Sequence, residues 1–374
     1  MGNMVIVVGN NHHNTLGLIR SLGRGGFDVI CIVVDSTKHS FVSKSRYIKK
    51  FILIDTFENL MNLLRKTTYE ERIPVFSTSD ELAEKLDLHY NELSEKYILS
   101  SCEHKQGGIS YWMNKDIMLS NATECGLMVP RGYYVKLVPE YVIPNGVSFP
   151  CIVKPHKSSE AKKDNVRICY NRHELEDALN GISPHCPEVL IQEYIKREYE
   201  VLIMGMRSSV NGITIIPGCL HKLRVCKHTK SLGMFTYAYT TGEIDPNIDI
   251  NAVECFLKTL DYDGIFSMEF MIEKDKAYFL EINLRNDGTQ FCFEGSGVNL
   301  PTMWAKTVLG EKCNMLKPRL DDKYCIVEIN YLKNMDLKHP ITAIKEWRKT
   351  SLFALADKTD LKPAFYKFIY SIFG

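Results

Sequence analysis

No apolar run in this chain reaches the length of a membrane-spanning helix. The first nine residues lack the basic start of a secretory leader. A soluble, cytoplasmic protein is therefore expected. Excess charge of one sign is also missing: 46 Lys and Arg against 45 Asp and Glu leave a net charge of +1. That balance gives no electrostatic case for a nucleic-acid partner. The twelve cysteines form no disulfide framework, because most lie in apolar runs such as Val29-Ile30-Cys31-Ile32-Val33, which fits reduced thiols. Cys219-Leu220-His221 and Cys226-Lys227-His228 match no common zinc spacing. The loop Gly9-Asn10-Asn11-His12-His13-Asn14-Thr15-Leu16-Gly17 lacks the glycines of G-x-G-x-x-G. That argues against a dinucleotide site, although Asp35 ends the second strand where a ribose-binding acid would sit. There is no internal repeat and no low-complexity segment.

What is present begins as alternating strands and helices. At 374 residues, ordinary domain sizes predict two to three domains. Residues 4–9 read as a buried strand, Thr15–Gly23 as a helix and Asp28–Val34 as a second buried strand, the opening of a doubly wound sheet. Strands at Tyr47–Ile54, Ile73–Ser77 and Tyr97–Leu99, with helices near Phe57–Thr67 and Glu81–Leu93, continue it. The His12-His13 pair reads chiefly as a solvated loop, with ligand contact the alternative. Asp80 reads as a helix N-cap or a substrate contact at a strand end.

From Tyr111 the texture changes to a helix bearing Asn114-Lys115-Asp116. Phe149–Pro155 is a strand ending at Lys154, followed by a polar loop from His156 to Asp164 and a returning strand at Val166–Tyr170. A helix at Arg172–Leu179 and a strand at Val189–Gln192 complete this unit. Gln192-Glu193-Tyr194-Ile195 then connects to a strand beginning at Glu200-Val201. Long strands follow at Ile213–Val225 and Phe235–Thr240. His221 or Arg224 could approach phosphates from there, or face outward.

Gly264 to Gly288 reads as a β-hairpin with the charged turn Glu273-Lys274-Asp275-Lys276. Glu281 and Asn283, two apart on one strand, leave the same face. Glu269 on the partner strand could lie opposite, and Arg285 continues the face if the strand runs on. Two carboxylates and an amide oxygen are hard donors that suit Mg²⁺ bridging phosphate oxygens, and Arg285 can fork onto phosphate or carboxylate. The alternative is an exposed hairpin with solvated charges. Near the C-terminus, Lys362-Pro363-Ala364-Phe365-Tyr366-Lys367-Phe368-Ile369-Tyr370 interleaves basic and aromatic residues. It reads as a helix docked on the protein or a second subunit rather than a membrane-surface helix, since apolar stripes usually pack inward.

Together these pieces resemble the ATP-grasp superfamily up to about residue 310. The resemblance implies an α/β fold with an α+β lid. Residues 1–110 would form a Rossmann-like pre-ATP-grasp domain. Residues 111–310 would form the ATP-grasp domain, with its lid about 148–192 and its metal and nucleotide sheet about 193–290. Residues 311–374 would form a C-terminal extension. Glu269, Glu281 and Asn283 would hold one or two Mg²⁺ ions, with Mn²⁺ an alternative. Lys115 and Lys154 match the lysines that such enzymes direct at ATP. Gln192-Glu193-Tyr194-Ile195 matches the adenine hinge and Glu200 the ribose acid, with His221 near the phosphates and Arg285 catalytic. The implied activity joins a carboxylate to an amine through an acylphosphate, and homo-oligomers are compatible with it. The FLEINLRNDG stretch, His221 and Ser231-Leu232-Gly233 look most like the D-aspartate ligase-like group, which acts on bacterial surface polymers. The chain departs from many members in having no glycine between His156 and Asp164.

Overall fold

Apolar runs covered on both faces form parallel strands without polar alternation, and the N-terminal third folds in that way. The computed structural model describes residues 3–36, 39–137, 141–156, 166–184, 186–226, 234–311, 318–335 and 340–373. Strands β1 (Met4–Gly9), β2 (Asp28–Val34), β3 (Ile48–Ile54), β4 (Ile73–Ser77) and β5 (Tyr97–Leu99) pair in the order β3-β2-β1-β4-β5, every pair parallel. Helix α1 (His13–Arg24) begins two residues earlier than expected. His12 caps it by accepting the Asn14 N–H on Nδ1 at 3.3 Å, which draws His13 and Asn14 into the first turn. Helix α2 (Phe57–Lys66) follows β3. The single helix expected over Glu81–Leu93 is two, α3 (Asp80–Asp87) and α4 (Tyr90–Leu93), because His89 leaves the helical region at φ −117° and ψ 18°.

After the short β6 (Ser101–Cys102), helices α5 (Gly108–Trp112) and α6 (Lys115–Glu124) lead to a four-stranded sheet. It contains β7 (Gly132–Lys136), β8 (Cys151–Pro155), β9 (Arg167–Cys169) and, after α7 (Arg172–Ile182), β10 (Glu188–Glu193), in the order β7-β10-β8-β9. Strand β7 belongs to this sheet, which therefore starts ahead of residue 148. Val153, Leu175, Leu179, Val189 and Ile191 fill the core between α7 and the sheet.

The large antiparallel sheet begins with β11 (Tyr199–Ser208). The run expected over Ile213–Val225 divides into β12 (Ile213–Ile215) and β13 (Cys219–Val225). Gly218 lies at the break with φ +151°, where a Cβ would meet the Thr241 carbonyl at 2.1 Å, so only glycine fits. Next come β14 (Phe235–Thr241), helix α8 (Ile250–Thr259), β15 (Tyr262–Glu273) and β16 (Lys276–Asn283). Helices α9 (Gln290–Gly295) and α10 (Leu300–Val308) precede β17 (Lys323–Ile326), α11 (Glu328–Lys333), α12 (Pro340–Lys349), β18 (Thr350–Phe353) and α13 (Lys362–Phe373). Strand order is β16-β15-β11-β13-β14-β17-β18, so the segment after residue 311 extends the large sheet. One core joins this sheet to the N-terminal domain: Leu16, Leu22 and Phe76 pack with Met204, Leu220 and Trp304, and Phe76 meets Trp304 edge-on at 5.1 Å. Among the described residues no helix is long and apolar enough to cross a membrane.

Candidate functional site

The β15–β16 hairpin forms as its alternation and charged turn predict, and its register sets Glu269 directly opposite Glu281. A β-bulge decides what that register means. Pairing shifts between Glu269 and Phe270, whose partners are Glu281 and Phe279, leaving Leu280 as the extra residue. Strict alternation would put Phe279, Glu281 and Asn283 on one face. The bulge instead lets Phe279 join Phe256, Phe266 and Phe270 in the core while Glu281 and Asn283 face a cavity of about 670 Å³. Glu269 lines the same cavity.

Three lysines surround these carboxylates. Lys115 is the first residue of α6 and buried, with Nζ 3.6 Å from a Glu281 oxygen. Lys222 on β13 lies opposite Glu200 in the ladder. Its Nζ stands 3.3 Å from Glu200 and 2.8 Å from Glu269, with its side chain 4 % exposed. Burial opposes the Lys222 charge, but Glu269 and Glu200 outweigh it and raise its pKa. Burial, with the charge of Lys115 added, lowers Lys154 on β8 to about 7, against the pull of Glu281. Burial likewise pushes the Glu281 carboxyl up, but Lys115, Lys154, Arg285 and Lys222 hold it below its ordinary value. Glu269 goes the other way: burial pushes it up, Lys222 pulls it back, and the facing Glu281 adds to the push. Two facing carboxylates, one held ionised and the other raised in part by its charge, therefore stand beside an amide oxygen. Among the described residues, no group of three or more His, Cys, Asp or Glu is arranged to hold a metal. This pair with Asn283 is the donor set on offer, and hard oxygens with a residual carboxylate repulsion fit Mg²⁺.

Arg285 behaves as a structural clamp. Its guanidinium makes a two-point fork on Asp80 at 3.0 and 3.2 Å, donates to Asp287 at 2.9 Å and to the Asn283 amide oxygen at 3.1 Å. Burial would lower its pKa, yet Asp80 and Asp287 hold it firmly charged. Ser79, not Asp80, caps α3, which leaves Asp80 to reach across to the hairpin. The clamp thus ties an N-terminal strand end to the carboxylate strand and orients Asn283. Asn14 adds a second tie, donating to the carbonyls of Thr78 and Asn286 at 2.9 and 3.0 Å.

The far wall of the cavity is the carboxyl end of the parallel sheet: Asn10, His12, His13 and Asp35 line it with Asp80. His12, which is exposed, and His13, which is half-buried in the first turn of α1, thus both line the cavity. Burial, reinforced by the charge of His12, drives the His13 pKa well below its ordinary value, so its imidazole is neutral. Gly288 faces it so closely that a Cβ there would stand 3.2 Å from His13 Nε2.

Several expected site residues lie elsewhere. His221 occupies the opposite face of β13 from Lys222, with its Nε2 3.3 Å from Cys219 Sγ and its ring 5.9 Å from Tyr199. Side chains alternate along a strand, so the neighbour of His221 had to be the one aimed at the carboxylates. Arg224 pairs with Glu346 of α12 at 2.6 Å. At the expected hinge, the Glu193 carboxylate accepts the Arg131 N–H at 2.8 Å, the Tyr194 N–H donates to the Pro150 carbonyl at 3.1 Å, and Ile195 is buried. Glu200 is buried against Lys222. Glu193, Tyr194, Ile195 and Glu200 do not line the cavity itself, and Lys154 stands just behind its lining, within the charge field of Lys115 and Glu281. The loop after His156, His228 and the Ser231-Leu232-Gly233 segment lie outside the described residues. Lys222 was missed because its signal is its place opposite Glu200, and register is not written in local sequence.

The ATP-grasp domain family matches residues 121–291. A D-alanine–D-alanine ligase of Fervidobacterium nodosum is 29 % identical over 148 residues, covering 38 % of this chain and 46 % of that one. A formate-dependent phosphoribosylglycinamide formyltransferase of Bacteroides fragilis is 27 % identical over 189 residues, 48 % of this chain and 47 % of that one. The chain thus spans about half the length of these curated relatives. In fold, it superposes on N5-carboxyaminoimidazole synthetase from Staphylococcus aureus with a TM-score of 0.65, at 15 % identity over 90 % of this chain and 86 % of that one. The L-amino acid ligase from Bacillus licheniformis gives 0.63, at 14 % identity over 83 % and 75 %. With its hairpin carboxylates, lysine cluster and three-sheet architecture, the chain carries an ATP-grasp domain over residues 121–291 and shares the overall fold of these solved structures.

Proposed function

We propose that the protein is an ATP-dependent carboxylate–amine ligase. The observation that carries this reading is a single cavity with a carboxylate–lysine cluster at one end and a wall of amides, histidines and acids at the other. ATP would place its phosphates against Lys115, Lys154 and Lys222, with the nucleoside toward the β10–β11 connection. Glu269, Glu281 and Asn283 are the residues that would hold Mg²⁺, which supplies charge neutralisation to the phosphate oxygens. The substrate carboxylate attacks the γ-phosphorus, ADP leaves, and the lysines stabilise the charge spread over the transferring group. An amine then attacks the acyl carbon of the acylphosphate, phosphate leaves, and the ammonium proton is lost to give the amide. Neutral His13 stands in the wall nearest that step and can accept a hydrogen bond from the amine. A polymer-linked carboxylate or amine, as in the D-aspartate ligase-like group, is one form of this substrate pair.

The test is ADP release from purified protein with Mg-ATP against a panel of carboxylic acids, each with and without an amine pool. Release that requires one acid and rises with one amine supports the ligase. ADP formation independent of every acid in the panel would overturn it.

ATP binding should also depend on pH. Lys154 is lowered to about 7 in the free protein, and phosphate oxygens favour its charged form. Above about pH 7 binding must therefore draw in a proton, so affinity falls as pH rises, approaching tenfold per pH unit while the free lysine is neutral and the bound one charged. Calorimetry in buffers of different ionisation enthalpy should register close to one proton taken up near pH 8. No uptake there would remove Lys154 from phosphate contact.

A further inference from the structure

Helix α13 is apolar on two faces, and the body of the protein covers one of them. Ala364, Tyr366 and Tyr370 pack against the core shared with the N-terminal domain, and Tyr370 stacks on His39 at 5.2 Å. On the other face Phe365 and Phe368, with Leu361 just ahead of the first turn, keep the i, i+4, i+7 spacing of one helical stripe. They are 58 %, 61 % and 64 % exposed. An aromatic helix face left in water needs a cover.

Charge says what kind. None of the twelve residues of α13 is acidic. The nearest preceding acids are engaged: Asp360 pairs with Arg20 at 3.0 Å, and Asp357 pairs with Arg24. Lys362 in the first turn and Lys358 in the turn that precedes the helix are exposed, Lys44 lies over the Tyr366 ring at 4.9 Å and Lys367 over Phe41 at 4.8 Å. Burial lowers the Lys367 pKa, and the charge of Lys333 at the end of α11 adds to this. Beside Lys333, Leu332 is another 59 % exposed side chain. A second copy of the chain meeting this face across a twofold axis would bring these cations against themselves. The three stripe residues also offer on the order of 350 Å², under half of the ~800 Å² per partner in a stable interface.

We propose that this face docks on an anionic membrane surface. The helix lies in the interface plane, with Leu361, Phe365 and Phe368 among the acyl chains and Lys358 and Lys362 against acidic headgroups. Apolar insertion combined with a basic flank is the two-part signal that peripheral helices use.

The test is co-sedimentation of the full chain with phosphatidylcholine vesicles, with and without phosphatidylglycerol. Binding should appear with the anionic lipid, weaken as salt is raised, and fall about tenfold or more in Phe365→Ser/Phe368→Ser. The variant should keep its thermal midpoint, because both side chains point away from the core. Lys362→Glu should weaken anionic binding roughly tenfold, losing one attraction and adding one repulsion. Absence of binding to anionic vesicles, or equal binding by the double variant, overturns the proposal. So does sedimentation equilibrium in which the natural chain is a dimer and the double variant a monomer, since a second copy would then be the cover.

Discussion

Glu281→Gln is expected to abolish Mg²⁺-dependent ADP formation while leaving the protein folded. The substitution keeps the shape of the side chain and removes its charge. Glu281 is the carboxylate that Lys115, Lys154, Arg285 and Lys222 together keep ionised, so its charge is the part the surroundings are built to maintain. Losing one preorganised electrostatic group of this kind costs roughly a hundredfold to a thousandfold in rate. The measurement is ADP release across a Mg²⁺ titration, alongside a thermal melt. Rate near that of the natural protein at every Mg²⁺ concentration would exclude Glu281 from the metal set. A collapse of the melting midpoint in parallel with activity would instead assign the loss to folding.

Lys222→Met is expected to damage both stability and nucleotide binding. With its ammonium 2.8 Å from Glu269 and 3.3 Å from Glu200, Lys222 is the cation between two acids in a dry part of the sheet. Methionine fills the space but leaves two carboxylates facing each other unneutralised. Removing one member of such a buried set costs about 3–5 kcal/mol, readable by urea denaturation. The deficit should depend on pH with a definite sign. Burial and the facing Glu281 already raise the Glu269 carboxyl, and without the opposing pull of Lys222 its folded-state pKa rises further above the unfolded value. The contribution of Glu269 is then fully present below the unfolded pKa and lost as pH rises through the folded one. The variant should therefore lie closer to the natural protein near pH 5 and fall further behind it near pH 8. An equal deficit at both would mean that Lys222 acts through packing rather than charge. Weakened ATP binding in the folded variant would separate its site role from its structural one.

Much of this site is legible in one dimension, and the reason is strand geometry. Glu281 and Asn283 share a face because side chains alternate along β16, and Glu269 meets Glu281 because a short charged turn leaves the hairpin few registers. The same alternation misleads at Phe279, which by parity belongs with Glu281 and by the bulge belongs to the core. It also explains His221: a histidine in a polar-looking strand attracts notice, while its neighbour Lys222 holds the position that matters. Arg285 shows the limit of chemical type as a guide. A guanidinium beside two carboxylates reads as a phosphate ligand; Arg285 does line the cavity, and Asp80, some two hundred residues earlier in the chain, also holds it as a clamp.

By itself, then, the sequence determined the parallel N-terminal sheet, the β15–β16 hairpin with its acid–acid–amide set, and the ATP-grasp resemblance. Each rests on residue periodicity or on contacts within a few residues. The tertiary structure alone decided that Lys222 neutralises Glu200 and Glu269, that His12 and His13 wall the cavity, and that Leu361 and the α13 residues Phe365 and Phe368 turn outward. These depend on register between distant strands and on which side of an element meets the rest of the protein. Local sequence carries no term for either, because the energy that selects them arises only when the sheets pack together.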